Sequence, residues 1–450
     1  MKKIRIASGA GYAGDRIEPA VELMEKGNID YIIFECLAER TIAIGQMDKL
    51  KDPTKGYNQL LENRMRKILG LVKENGIKVI TNMGAANPLS AVDKTVEIAK
   101  ELGITGIKIA AVTGDDISSS ISDYYEEDVL ELDCKLGEIK ENLVSTNVYI
   151  GAEGIIEALE NGADIVITGR VADPALTIGP LRHEFGWNID ENIYQMGQAT
   201  LAGHLLECAG QVTGGYFADP GIRDVEGLER LGFPIVEIDQ EGEFTVSKVE
   251  GSGGLVTVET CTEQLVYEIH NPERYMTPDS IADFSKVKFE QKSKDVVGVS
   301  NATSHGKPET LKASIGYKDC FIGEGEISYG GTNSLAKAKL AADIILKRLD
   351  IAGVERQEER VEYIGYNSLY GDAISNQYAP ETFSEIRLRV SARTKDRKNA
   401  DLIGNEIEAL YTNGPAGGGG ATKRVSEIVS VCSVFVPREA VKVEVSYKEV

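Results

Sequence analysis

Asp164-Ile165-Val166-Ile167-Thr168-Gly169-Arg170-Val171-Ala172-Asp173 runs a short apolar strand straight into a glycine-bearing polar corner. Five earlier segments do the same: Ile4-Arg5-Ile6-Ala7, Tyr31-Ile32-Ile33-Phe34, Lys78-Val79-Ile80, Ile107-Lys108-Ile109-Ala110-Ala111 and Thr146-Asn147-Val148-Tyr149-Ile150. Between them, residues 17–26, 57–75, 90–102 and 153–159 place apolar side chains at helical spacing. Strand alternating with helix at this rhythm predicts parallel βα units. Gly76, Gly103 and Gly162 stand just past three of the helices, where a left-handed closing residue is wanted. In an open parallel sheet ligands bind outside the carboxyl ends of the strands, so these corners mark the expected site.

Beyond residue 188 the pattern changes. A helix is expected over 198–208, followed by short alternating segments such as Phe244-Thr245-Val246 and Leu255-Val256-Thr257-Val258, with an alanine-rich helix over 333–348. The charged stretch 354–360 reads as a connection. The tail shows a strand at 386–390, a helix over 399–410 and alternating strands from Val425 onward, an order suited to a small ferredoxin-like unit. The fold class read from the chain is α/β. A mainly parallel βα-repeat domain spans 1–188, a mixed α+β extension 189–355, and a ferredoxin-like α+β unit 356–450.

With 42% hydrophobic and 27% charged residues over 450 positions, the composition is that of a folded protein with a large core. The formal net charge of −22 opposes binding to nucleic acid or to anionic membranes. Residues 1–14 read as a strand entering a turn rather than a signal-peptide core, and no run of about 18 apolar residues is present. The expectation is a cytoplasmic protein, a symmetric homo-oligomer as soluble oligomers usually are. Six cysteines without a CxxC pair suggest free, mostly buried thiols.

Gly9-Ala10-Gly11-Tyr12-Ala13-Gly14 is a GxGxxG after a strand, and Glu35 ends the next strand where a ribose-binding acid would lie. Asp15, Glu18 and Pro19 nevertheless place the helix start several residues late for a pyrophosphate site. Three readings stay open: a nicotinamide or flavin site supporting an NAD-dependent oxidoreductase, a tight turn, or a substrate loop made by Tyr12, Asp15 and Arg16.

Several stretches are specific in combination. They are residues 9–16, 34–41, Thr81-Asn82-Met83-Gly84-Ala85-Ala86-Asn87-Pro88, Val112-Thr113-Gly114-Asp115-Asp116, residues 167–173, Gly203-His204-Leu205-Leu206-Glu207-Cys208, Gln211-Val212-Thr213-Gly214-Gly215 and Gly253-Gly254-Leu255-Val256. On these the chain resembles the acyclic terpene utilisation AtuA-like family. The resemblance implies a role in catabolism of branched acids through coenzyme A thioesters, without implying a reaction. Many relatives carry an Ala-Arg-Ser-Gly-Asp-Lys-Gly type motif in the tail. Here Ser391-Ala392-Arg393-Thr394-Lys395-Asp396-Arg397 lacks the glycines, which points to a related subgroup acting on another acid.

If the strands are parallel, the corner residues project from one edge: Glu35, Glu39 and Arg40, then Asn82 and Asn87, Asp115 and Asp116, Glu153, and Arg170 and Asp173. Arg170 is suited to clamp the carboxylate or phosphate of a small anionic substrate, or to pair with Asp173 as a structural group. Crowded carboxylates disfavour each other's ionisation, so Glu35 or Asp115 is the expected general acid or base, with Asn82 polarising a carbonyl. The same oxygens also suit a hard divalent cation. His204 and Glu207 share a helix face with Cys208, as metal ligands, as an acid/base pair or as packing. The glycine run 414–420, followed by Lys423 and Arg424, reads as an anion loop, a lid or a subunit contact. The function expected is an enzyme of carboxylic acid or acyl-CoA catabolism working by acid/base chemistry at the strand ends. The rival is a non-catalytic acyl-CoA-binding or accessory subunit.

Overall fold

The computed structural model describes residues 2–450 and divides into two compact units, Met1–Gly316 with Val431–Val450, and Tyr317–Ser430. In the first unit the chain alternates β1 (Lys3–Ala10), α1 (Glu18–Lys26), β2 (Tyr31–Phe34), α2 (Glu39–Lys51), α3 (Leu61–Asn75), β3 (Lys78–Thr81) and α4 (Pro88–Glu101). It continues through β4 (Lys108–Thr113), β5 (Leu143–Val148), α5 (Glu153–Glu160), β6 (Ile165–Thr168), α6 (Ala175–Phe185) and α7 (Ile193–Glu207). Strands β1, β2, β3, β6 and β4 lie side by side in that order, all parallel.

Successive strand residues point to opposite faces, and helices cover both faces here, so the strands are apolar throughout rather than alternating. Ile32 and Phe34 join the core that α1, α3 and α4 build with Leu23, Ile68 and Val92. Tyr31 and Ile33 join the other core, with Ile155 of α5, Leu176 of α6 and Leu205 of α7. Each fully buried aliphatic side chain stabilises by roughly 1.5–3 kcal/mol. Gly76 closes α3 at φ +67°, as its position after the apolar run predicts.

The expected sixth parallel strand does not join. Both edges of β4 are taken, one by β6 and the other by β18 (Glu444–Glu449), so β5 has no place in the sheet and pairs with β14 (Thr310–Gly330) instead. The β1 edge is extended by antiparallel β7 (Pro234–Asp239), β8 (Phe244–Lys248), β12 (Val296–Ser300) and β11 (Lys288–Ser293). A small sheet of β9 (Tyr275–Met276), β10 (Ile281–Asp283) and β13 (Thr303–Ser304), with α8 (Val258–Val266), completes the unit.

In the second unit β14 leads through α9 (Ser334–Ile351), β15 (Glu358–Ile364), α10 (Gly371–Tyr378), β16 (Glu385–Thr394) and α11 (Arg397–Asn413) to β17 (Gly418–Pro437). The sheet order is β15-β16-β14-β17, with β16 antiparallel to both β14 and β15. Ile327, Leu388 and Val390 on one face pack with Ala341 and Ile345 of α9 and Ile403 and Ile407 of α11. The expected boundary near 355 falls inside this unit, because α9 shares one core with β14 before it and with β16 and α11 after it. The last expected tail strand, β18, returns to the first unit beside β4. Of the glycine run 414–420, residues 414–417 turn from α11 into β17 and 418–420 open the strand, while Lys423 and Arg424 pair with Glu408 and Glu324.

The glycines of the first corner serve packing. A Cβ on Gly9 would sit 2.6 Å from the Phe34 ring, and one on Gly11 would sit 2.5 Å from the Cys208 carbonyl carbon at the end of α7. Gly11→Ala should therefore push two backbones apart and cost about 1–3 kcal/mol. A lowered urea midpoint with an unchanged slope checks this.

Candidate active site

The corners after β2, β3, β4 and β6 supply the polar groups, and the strand order decides which of them meet. After β3, Asn82 is fully buried; its Oδ1 accepts from the Cys36 backbone N–H at 2.7 Å and its Nδ2 donates to Glu35 Oε1 at 2.9 Å. The Leu37 backbone N–H also donates to Glu35 Oε1, at 2.9 Å. After β4, Asp115 Oδ2 accepts from the Arg170 backbone N–H at 2.9 Å and from Asn147 Nδ2 at 2.8 Å.

After β6 comes Arg170, 1% exposed. Its guanidinium donates to the Leu37 carbonyl, pairs with Asp173 at 3.3 Å and lies 3.9 Å from the Tyr149 ring centroid. The Tyr149 hydroxyl donates to Glu39, whose Oε1 also lies 3.5 Å from Lys312 Nζ. On α7, His204 Nδ1 lies 2.8 Å from Glu207 Oε1 and Nε2 lies 3.2 Å from the Leu265 carbonyl, so both ring nitrogens face acceptors. The His204 ring packs against Tyr275 and Phe284.

Burial lifts the Glu35 carboxyl above the usual carboxylate range, against the hydrogen bonds from Leu37 and Asn82 and the charge of Arg170. Burial lifts Asp115 in the same way. Asp173, its side chain 32% exposed, is raised above its ordinary value, first by partial burial and then by Glu35, Glu207 and Glu39, with Arg170 opposing. Glu39 goes the other way: burial opposes its charge, but Arg170, the Tyr149 hydroxyl and Lys312 outweigh burial and hold it low. Burial disfavours the His204 cation, yet Glu207 and the facing carbonyls raise its pKa. Burial pushes the Cys36 and Cys208 thiols up, so neither is a poised thiolate.

Glu35, Glu39, Asn82, Asp115, Arg170, Asp173, His204 and Glu207 thus belong to one linked group. The remaining expected site residues lie apart. Tyr12 and Arg40 are exposed, Asp15 accepts from the Gly11 N–H, and Arg16 donates to the Leu228 carbonyl. Asn87 caps α4 and donates to the carbonyls of Pro53 and Lys55, Asp116 is exposed at an isolated antiparallel bridge to Asn147, and Glu153 starts α5 near Arg438. The nucleotide reading of the first corner does not fit. Asp15 occupies an N–H that a pyrophosphate would need, α1 opens only at Glu18, and the Glu35 carboxylate is engaged by Leu37 and Asn82. Among the described residues no group of three or more His, Cys, Asp or Glu is placed to hold a metal ion.

A cavity of about 260 Å³ opens beside this group, lined by Tyr149, Asp173, Tyr275, Met276, Leu311 and Phe435 among others. Of the linked carboxyls Asp173 alone lines it. Tyr149, Tyr275 and Lys312 carry no motif and were not legible as site residues.

The linked polar group at the carboxyl edge of the parallel sheet is built from motifs between residues 34 and 208, and a family model matches well beyond them. The model of the acyclic terpene utilisation family protein AtuA matches residues 4–447. The chain belongs to the AtuA family. Membership gives it a role in acyclic terpene utilisation, and the matched region covers nearly all of the first unit and the whole of the second. No curated protein and no solved structure matches the chain. No helix among the described residues is long and apolar enough to cross a membrane.

Removing the guanidinium with Arg170→Met leaves the Leu37 carbonyl without its donor and Asp173 and Glu39 without their buried cation. The expected cost is about 3–5 kcal/mol, read by urea unfolding. Glu35, Asp115 and Asp173 hold their protons more tightly folded than unfolded, so the native state binds more protons and stability falls as pH rises from about 4. Asp173→Asn should flatten that fall in a pH series of melting temperatures, stabilising relative to wild type at neutral pH and not in acid.

Proposed function

We propose that this AtuA family member is an acid/base enzyme of carboxylic acid or acyl catabolism, with Asp173 as the proton-transferring group. One observation carries the reading: Asp173 joins the buried polar group to the cavity, the only carboxyl of that group to do so. A carboxyl that holds its proton well above the ordinary carboxylate range is suited to donate to a leaving or carbonyl oxygen and to take a proton back afterwards.

This reassigns the roles expected from sequence. Glu35 and Asp115 accept backbone and carboxamide donors away from the cavity, which suits them to fixing the corners rather than moving protons. Arg170 spends its guanidinium on Leu37, Asp173 and Tyr149, so it positions Asp173 instead of clamping a substrate anion. The Tyr275 ring and the apolar wall of Met276, Leu311 and Phe435 would enclose the organic part of the substrate and exclude water. Hydration, dehydration and isomerisation all fit this arrangement.

The test is a panel of hydroxy and unsaturated acids and their thioesters, incubated in heavy water and followed by mass spectrometry for deuterium uptake or gain or loss of water. Wild type should convert at least one member, and Asp173→Asn should lower that rate by about 10²–10⁴-fold while remaining folded. Equal rates in the two proteins would rule Asp173 out.

A further inference from the structure

Two walls of the cavity are tied together by one side chain that the proposed chemistry does not use. Pro278 stands in the turn between β9 and β10, and Pro308 in the segment before β14; both line the cavity. Arg438, just past β17, donates from Nη2 to the Pro278 carbonyl and from Nε to the Pro308 carbonyl at 3.2 Å. Its backbone N–H donates to the Glu309 carbonyl at 3.1 Å, which fixes the side chain's base beside the same wall.

The third side of the guanidinium faces acid. Arg438 Nη1 lies 3.9 Å from Glu153 Oε1, at the first turn of α5. Asp279, the residue after Pro278, is fully buried, and its two carboxyl oxygens accept from the Ala152 backbone N–H at 3.0 and 3.2 Å. The two carboxyls converge. A Cβ built on Gly151 would sit 2.5 Å from Glu153 Oε2 and 2.9 Å from Asp279 Oδ1, so glycine leaves the gap that they share.

The charged groups acting on Asp279 come from three elements: Glu153 of α5, Arg182 of α6 and Arg438 after β17. Arg182 is itself engaged, its Nε donating to the Trp187 carbonyl at 3.2 Å. Burial first and Glu153 second raise the Asp279 carboxyl to about 7, with the Ala152 N–H, Arg182 and Arg438 opposing. Around neutrality the pair therefore passes from one negative charge to two.

We propose that Glu153, Asp279 and Arg438 form a proton-operated clasp on the cavity. While Asp279 keeps its proton, the pair is singly charged and Arg438 stays on the two proline carbonyls, holding the walls together. When the proton leaves to solvent, two carboxylates face each other across the Gly151 gap and offer the guanidinium a stronger partner than either carbonyl. Arg438 then swings toward the acids, and the turn at 277–280, with Tyr275 and Met276 just before it, is released.

Amide hydrogen exchange of the full chain tests this without any substrate. After correction for intrinsic rates, exchange in residues 275–282 should rise about tenfold from about pH 6 to about pH 8 in wild type. Asp279→Asn and Glu153→Gln, which each limit the pair to one charge, should keep the segment slow at both values. Arg438→Met, lacking the clasp, should be fast at both. Because the readout is exchange, the clasp stands or falls separately from the catalytic proposal. A pH-independent wild type, or a rise that survives in both Asp279→Asn and Glu153→Gln, would overturn it.

Discussion

The buried guanidinium of Arg170 is the constraint on which the strand-end cluster depends. Five carboxyl groups, those of Glu35, Glu39, Asp115, Asp173 and Glu207, sit in or beside the same edge of the sheet. Uncompensated carboxylates there would each lose several kcal/mol of hydration. Arg170 reaches the Leu37 carbonyl, Asp173 and the Tyr149 ring at once, while its own backbone N–H holds Asp115. The corners after β2, β4 and β6 are thereby joined into one piece.

The parallel sheet makes that junction available, because every strand of β1-β2-β3-β6-β4 ends on the same edge. The insertion of β6 between β3 and β4 brings Arg170 between Asn82 and Asp115. It also excludes β5, whose pairing with β14 puts Tyr149 beside Lys312, where the Tyr149 backbone N–H donates to the Lys312 carbonyl at 2.9 Å. Excluding that strand is thus what gives the cavity one of its aromatic walls.

Local features were legible in the chain. Apolar runs found five of the six expected parallel strands, and the glycines after helices marked true closures such as Gly76. The exclusion of β5 was not legible, because competition for the edges of β4 involves β18, more than 300 residues away. Helix α2 was read as a polar corner since only Ile42 and Ala43 of its residues are buried, too few to show a period. The corners were marked in the sequence and several of their side chains meet at one edge of the sheet, yet which of Glu35, Asp115 and Asp173 borders a cavity depends on residues far away in the chain. Three-dimensional neighbours such as Tyr275 decide that, and no spacing in the sequence encodes it.

The most direct measurement is a titration of the Asp173 carboxyl by carbon NMR in aspartate-labelled protein, with the resonance assigned by its loss in Asp173→Asn. The account predicts a midpoint well above the ordinary value of about 4, shifting when a ligand fills the cavity. A carboxyl that titrates near about 4 and ignores cavity ligands would contradict it.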